Sequence, residues 1–115
     1  MTTLKDFLTF KSVRVKAGMP EDRQYVEGSC MLITREVIHS IGLFDEVYAP
    51  GYYEDADYCF RAREYGFRTV YSPFSEVYHF AGVTADMPEV KAMLRQRRGQ
   101  ERTFRTRWAR HFDPA

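Results

Sequence analysis

The 115-residue sequence predicts an α/β domain, a small mixed sheet with flanking helices and a long C-terminal helix. Apolar runs of strand length alternate with helical patterns, and glycine and proline punctuate the boundaries between them. A chain of this length has a core large enough for one domain. We divide it into an entry segment (1–24), an α/β body (25–85) and a basic C-terminal helix (86–115).

The composition is that of a folded protein with an aromatic core or a ring-binding cleft. Hydrophobic residues make up 44%, charged residues 29% and aromatic residues 16%, which argues against disorder. The formal charge is +1, so the whole molecule does not favour nucleic acid, and we expect no nucleic-acid partner. Residues 88–110 nevertheless hold eight basic and two acidic residues, +6, which leaves −5 for the rest.

The first half predicts short elements. The entry segment has no clear period, except that residues 13–16 alternate like a short strand. Residues 29–33 form an apolar run typical of a buried strand. Thr34 then favours the start of a helix over residues 35–41, and Gly42 favours its end. Residues 43–51 hold no period and predict an irregular loop.

A helical pattern runs from Glu54 to Gly66. Its apolar positions fall on one side, and Asp57, Arg61 and Glu64 fall on the other. Residues 68–72 and 76–80 predict two strands separated by Pro73. Residues 86–89 have the form of a capping box, so a helix is expected from there to about residue 110. Its apolar stripe is formed by Val90, Leu94, Phe104, Trp108 and Phe112.

Cysteine usage and the lack of long apolar runs bear on location. Cys30 and Cys59 each lie in an apolar pattern without CxxC spacing, so we expect both to be reduced core residues. The sequence has no signal-like start and no run of about 18 apolar residues. The expected location is cytoplasmic, with no transmembrane segment.

Three carboxylates, those of Glu54, Asp55 and Asp57, gather at the predicted start of a helix. One interpretation is structural: acidic groups there interact with the helix dipole and its unpaired N–H groups, and Asp57 pairs with Arg61 one turn later. The other is that one carboxylate is a general base, accepting the proton of an attacking hydroxyl. Adjacent carboxylates also disfavour each other's ionisation, which raises one pKa, and the sequence does not say which.

An ordered series of motifs resembles the acceptor-side, carboxyl-terminal half of family 2 glycosyltransferases, especially rhamnosyltransferase-like members. The motifs are Val-Glu-Gly-Ser-Cys at 26–30, Ile-Gly-Leu-Phe-Asp-Glu at 41–46, Tyr-Glu-Asp-Ala-Asp-Tyr at 53–58 and Val-Tyr-His-Phe-Ala-Gly at 77–82. The resemblance covers residues 25–84, with a weaker echo at 104–108. It implies a partial GT-A fold and inverting transfer of a sugar from a nucleotide diphosphate to a glycan or lipid-linked hydroxyl. The setting it implies is polysaccharide or cell-wall synthesis, at the inner face of the membrane.

The resemblance assigns roles to individual residues. It implies that Asp55 is the catalytic base, that Glu54 shapes the acceptor site, and that His79 is a ligand of a divalent metal, Mn or Mg. By itself, a lone histidine at a strand end is more often a hydrogen-bonded core or surface residue, and one imidazole is not a metal site. We place Gly28, Tyr53, Glu54 and Asp57 in the substrate site. Gly28 either allows a ligand to approach or permits a backbone bend, and Tyr53 is a candidate for stacking on a sugar ring.

The donor-binding half of the resembled family has no counterpart in this sequence. That half ends in an Asp-x-Asp motif that closes an apolar strand, and before Tyr25 the acids are Asp6, Glu21 and Asp22. We therefore expect transfer to need a donor-binding half from elsewhere, and we expect self-association to cover exposed faces. The alternative is a non-catalytic interaction or dimerisation module that docks through its basic helix.

Overall fold

The helix over Glu54–Glu64 contains most of the buried residues among those that the structure describes. The structure is a computed structural model, and it describes residues 20–75, 77, 86–95 and 97–112. The helices are α1 (Arg35–Ile41), α2 (Glu54–Glu64), α3 (Pro88–Leu94) and α4 (Arg97–Trp108). The strands are β1 (Glu21–Asp22) and β2 (Val70–Tyr71), and 3₁₀ turns span Gly28–Cys30, Glu46–Tyr48 and Ala109–His111.

Helix α4 packs across α2 through aromatic rings. Phe60 of α2 stands 5.5 Å from Phe104 and 5.4 Å from Trp108, and the second contact is edge-on. Phe104 and Trp108 are buried one turn apart on α4, which is the spacing of a core-facing stripe. Each such ring pair contributes roughly 0.5–1.5 kcal/mol beyond its buried area. The remaining members of the core cluster are Tyr48, Tyr53 and Ala56.

The sheet of the described residues is small and antiparallel. Glu21 lies opposite Tyr71 and Asp22 lies opposite Val70. The guanidinium of Arg68 donates to both carboxylate oxygens of Asp22, at 2.8 and 3.0 Å. Because both side chains are exposed, this pair stabilises the sheet only weakly. Strand β1 was not predicted, since two adjacent acidic residues give no apolar pattern, and β2 is shorter than the predicted strand over residues 68–72.

The prediction of a buried strand over residues 29–33 is wrong. A 3₁₀ turn occupies Gly28–Cys30, and Leu32 is 95% exposed. A buried strand needs a hydrogen-bonded neighbour and a covering layer. The described strands pair with each other instead, in the order β1–β2. Cys30 is likewise exposed, which corrects its prediction as a core residue, whereas Cys59 is buried, and both are free thiols.

Helix α1 has the predicted bounds, and its end is the predicted glycine stop. Gly42 has φ 79° and donates its N–H to the carbonyl of Ile38 at 2.8 Å. Thr34 occupies the N-cap position, but its side chain makes no capping hydrogen bond. The loop that follows is irregular as predicted, apart from the 3₁₀ turn over Glu46–Tyr48, where the Asp45 side chain accepts from Val47.

The predicted single C-terminal helix is two helices in the structure. The start at Pro88 is confirmed, but α3 ends at Leu94 and α4 begins at Arg97. Between Leu94 and Phe104 the sequence has no large apolar residue to bury, and Gly99 has low helix propensity. The second part, α4, packs on the core through Phe104 and Trp108. The predicted strands over residues 13–16 and 76–80 lie outside the described residues, except for Val77, as does the rest of 1–19.

Candidate functional site

Two tyrosines in the left-handed region lead into α2. Tyr52 and Tyr53 have φ of 75° and 73°, a conformation that costs a residue with a side chain about 1–2 kcal/mol. Packing offsets that cost, because the Tyr53 ring is 6% exposed and stands 5.4 Å from the ring of Phe104. The Tyr52 ring is half-buried, with the Arg97 guanidinium 5.8 Å from its centroid. This turn places Glu54 at the first position of the helix.

The Asp55 carboxylate is oriented by two backbone N–H groups. Oδ2 accepts from Gly28 at 2.9 Å, and Oδ1 accepts from Ala56 at 2.8 Å. A carboxylate has about four lone-pair sites, so two bonds leave capacity for an incoming proton. Asp55 is half-buried. The Glu-Gly-Ser motif at 27–29 thus contacts the acidic start of α2 through the hydrogen bond from Gly28 to Asp55.

Gly28 does not have the left-handed backbone that would require glycine; among the described glycines, Gly42 and Gly66 have positive φ. A Cβ added at residue 28 would stand 3.5 Å from Asp55 Cβ, an ordinary van der Waals contact. The interpretation of Gly28 as a forced bend therefore has no support. Its observed contribution is the N–H that holds Asp55.

The pKa of the Glu54 carboxyl is raised above its usual value. Burial is the main cause, and the negative charge of Asp55 adds to it. Its Oε2 is buried without a hydrogen-bond partner among the described residues. Unsatisfied buried carboxylate oxygens are uncommon in folded proteins. Burial thus disfavours the ionised form of Glu54.

Tyr25 borders the same site. It is half-buried and packs against the core cluster. Burial raises the pKa of the Tyr25 phenol, and the negative charges of Glu27 and Asp55 raise it further. A phenol beside two carboxylates remains protonated and can donate a hydrogen bond.

Asp57 is fully buried and accepts four hydrogen bonds from protein groups. Its Oδ1 accepts from the Tyr48 hydroxyl at 3.0 Å, from Arg107 at 2.9 Å and from the Trp108 indole at 2.9 Å. Its Oδ2 accepts from Arg61 Nε at 2.9 Å. The predicted pairing with Arg61 is present, but the assignment of Asp57 to the polar outer side of the helix is wrong. The reason is that α4 and Tyr48 supply donors that satisfy a buried charge.

The two arginines extend this network to other elements. Arg61 also donates to the carbonyls of Ile41 and Leu43, at 3.1 and 2.9 Å, at the end of α1. Arg107 also bonds Asp45 at 3.1 Å. One buried carboxylate therefore connects α1, the loop before α2, α2 itself and α4.

The family model described as "Glycosyltransferase like family 2" matches residues 5–103 of this chain. The chain belongs to glycosyltransferase-like family 2. The match enters all three predicted segments and ends at residue 103, within α4. The family is one of sugar transferases.

A curated relative adds a difference in length. The family 2 domain is 30% identical over 95 residues to a protein of Sinorhizobium fredii (strain NBRC 101917 / NGR234) described as "Uncharacterized protein y4gI". The match covers 78% of this chain and 10% of the relative, so the chain spans about a tenth of the length of that protein. No solved structure matches the domain.

The structure brings together some of the predicted site residues of the family 2 domain. Gly28 and Asp55 are in contact, and Glu54 adjoins them. Tyr53 is turned into the core, and Asp57 is held there by protein groups. His79 lies outside the described residues. Sequence reasoning missed Tyr48, Arg107 and the polar role of Trp108, because the loop and the basic helix have no periodicity that indicates a buried carboxylate nearby.

The described part of the family 2 domain does not form a metal site. No group of three metal-ligating side chains occurs among the described residues. The carboxylates of Asp55 and Asp57 are already bonded to protein donors. Divalent ions bound to phosphates prefer several oxygen ligands, and a ligand set of that kind does not fit these residues. In the same part of the chain, no helix has the length and apolar character that a bilayer span requires.

Proposed function

We propose that this chain is the acceptor-side part of an inverting glycosyltransferase in which Asp55 is the general base. The substrates are a nucleotide-diphosphate sugar and a hydroxyl of a glycan or lipid-linked acceptor. The observation that supports it most is the Asp55 carboxylate, half-buried at the start of α2 and oriented by the N–H groups of Gly28 and Ala56. A base must be held within hydrogen-bond reach of the proton that it accepts.

The proposed reaction is a single displacement. The acceptor hydroxyl oxygen attacks the anomeric carbon as Asp55 takes its proton, and the bond to the nucleoside diphosphate breaks on the opposite face. Attack opposite the leaving group inverts the anomeric configuration. Asp55 ends protonated and the nucleoside diphosphate leaves with the bonding electron pair. Orientation by fixed N–H groups lowers the entropic cost of this step.

Glu54 is proposed to contact the acceptor. Its Oε2 is buried without a partner among the described residues. A carboxyl oxygen in that position can accept a hydrogen bond from a sugar hydroxyl. Gly28 would border the acceptor through its backbone, whereas Tyr53 and Asp57 would support the site from the core side.

The donor is proposed to bind to a second half that these 115 residues do not contain. The sequence has no Asp-x-Asp motif closing an apolar strand; its own Asp55-Ala56-Asp57 lies in the first turn of α2. Stabilising a leaving diphosphate is a large part of the chemical work in such a transfer. His79 as a ligand of Mn or Mg belongs to the same proposal, together with residues of that donor half.

The test separates acceptor binding from donor binding. In ¹H–¹⁵N spectra of the full chain, methyl glycosides are titrated one by one. We expect one of them to shift the amide signals of Gly28 and Ala56, and Asp55→Asn to weaken that response. Glu64→Gln, which changes an exposed carboxylate on the same helix, is the matched control and should respond like the wild type. Responses that avoid Gly28 and Ala56 would contradict the proposal.

Calorimetry with UDP, GDP and dTDP in the presence of Mn²⁺ tests the need for a donor half. We expect the chain to bind each nucleotide with a Kd above about 1 mM, an affinity weaker than about −4 kcal/mol. Tight nucleotide binding would refute the need for a separate donor-binding half. The role of Asp55 would still be tested by the glycoside titration.

The alternative function, a non-catalytic module that dimerises, is favoured by one observation. Arg97, Arg98, Arg102 and Arg105 are exposed on α4. Sedimentation of the quadruple Gln variant of these residues tests it. Loss of an oligomer in that variant, with no effect of Asp55→Asn on glycoside binding, would establish this function and exclude catalysis.

A further inference from the structure

Helix α4 holds α2 on both sides of the acidic pair. Before the pair, the buried Tyr53 ring packs on Phe104 at 5.4 Å. After the pair, Asp57 accepts from Arg107 and Trp108, each at 2.9 Å. Tyr53 and Asp57 are four residues apart, and the Asp57 N–H donates to the Tyr53 carbonyl at 2.9 Å. Both residues therefore lie on the side of the first turn that faces α4.

Asp55 lies between these two anchors, and its carboxylate contacts a different part of the chain. The Gly28 N–H that it accepts comes from a segment 27 residues earlier. Where this carboxylate lies relative to Gly28 depends on how the first turn of α2 is placed. The anchors that place that turn are residues 53 and 57.

We propose that Asp57 is a positioning residue: its bonds to Arg107 and Trp108 fix the first turn of α2 so that Asp55 meets Gly28. The inference rests on the proposed role of Asp55 as the base. Asp57 touches no substrate in this account, because it is fully buried and bonded to protein groups. The basic α4 is then a part of the catalytic architecture through Arg107 and Trp108.

Charge balance explains why a carboxylate occupies this position. Asp57 and Asp45 face Arg61 and Arg107, so two negative and two positive groups meet. A buried ion needs such partners together with further hydrogen bonds. Tyr48 and Trp108 supply those bonds. A neutral residue at 57 would leave two guanidinium groups without their buried partner and would free the first turn of α2.

The Gly28 amide is a reporter for the position of Asp55 that needs no turnover. Its N–H donates to the Asp55 carboxylate, so its ¹H and ¹⁵N shifts depend on that bond. Asp55→Asn calibrates the assay, since it removes the charged acceptor. In Arg107→Gln we expect the Gly28 signal to move toward its position in Asp55→Asn, with lower protection from hydrogen exchange. Arg105→Gln, an exposed arginine on the same helix paired with Glu101, should leave the signal in place.

Tyr48→Phe provides a milder variant, because it removes one hydroxyl donor to Asp57 and keeps the ring and the charges. It should move the Gly28 signal in the same direction and by less. A Gly28 signal at the wild-type position in folded Arg107→Gln or Tyr48→Phe would overturn the proposal. A Gly28 signal unaffected by Asp55→Asn would overturn it as well. If glycosides do not bind near Asp55, the proposed function fails, while the Gly28 shifts still decide whether Asp57 positions that carboxylate.

Discussion

Replacing Asp57 with Asn should destabilise the domain far more than the same change at Asp45. Both carboxylates bond the same guanidinium, that of Arg107, at 2.9 and 3.1 Å. Asp57 is fully buried, whereas the Asp45 side chain is 36% exposed. The pair of variants therefore compares a buried and an exposed carboxylate on one shared arginine.

The magnitude follows from burial. Removing one partner of a buried ion pair costs about 3–5 kcal/mol. Here the side chains of Arg61 and Arg107 are 22% and 35% exposed. Water can therefore solvate them in part, and we expect the lower end, about 3 kcal/mol. Asp45→Asn retains an oxygen for the Val47 N–H, so its cost should stay below about 1 kcal/mol, as for an exposed pair.

Urea unfolding at pH 7 measures both variants. With an m-value of roughly 1.5 kcal/mol/M, a loss of about 3 kcal/mol lowers the midpoint by about 2 M. Asp45→Asn should lower it by well under about 1 M. Equal midpoints for the two variants, with unchanged m-values, would refute the conclusion that the buried Asp57 carboxylate stabilises the domain more than the exposed Asp45 carboxylate does.

Two further predictions use matched pairs of substitutions. Glu54→Gln should raise the free energy of unfolding at pH 7. The folded-state pKa of Glu54 lies above its unfolded value of 4.5. The contribution of Glu54 to stability is therefore present below pH 4.5 and is lost as pH rises through the folded pKa. The gain should vanish below pH 4.5, and a gain equal to that of exposed Glu64→Gln at every pH would contradict this. Gly66→Ala should lower the free energy of unfolding by about 1–2 kcal/mol, because the φ of Gly66 is 86°. Gly99→Ala within α4 should raise the free energy of unfolding by about 0.5–1 kcal/mol, because the added Cβ meets open space. Thermal unfolding of both variants checks the opposite signs, and equal signs would show that backbone conformation does not control these sites.

Local chemistry made several elements predictable. Gly42 and Gly66 both have the positive φ expected of a glycine that follows a helix. Helix α2 begins at Glu54 and α3 begins at Pro88, where the acidic and capping patterns indicate starts. These features depend on residues a few positions apart, so the sequence states them directly. Contacts within one turn also explain why the pairing of Asp57 with Arg61 was foreseen.

Other features depend on residues far apart in the chain. An apolar run such as 31–33 has the same pattern whether or not a neighbour covers it, and here Leu32 is exposed. The basic C-terminal segment has the net charge expected of a solvent-exposed helix. In the structure, its Phe104 and Trp108 side chains pack in the core cluster. Covering layers and helix partners are set by packing, which overrides local propensity.

The sequence by itself determined the acidic pair at the start of α2 and its membership in an ordered set of motifs. It left the ionisation of the acidic pair open, and it placed Asp57 on the outer side of the helix. The tertiary structure decided both: burial disfavours the ionised form of Glu54, and Arg107, fifty residues from Asp57, comes with Trp108 to satisfy a buried charge. Burial and long-range hydrogen bonds exist only once the chain has packed, so helical periodicity placed Asp57 on the wrong face while still placing Asp55 correctly at the helix start.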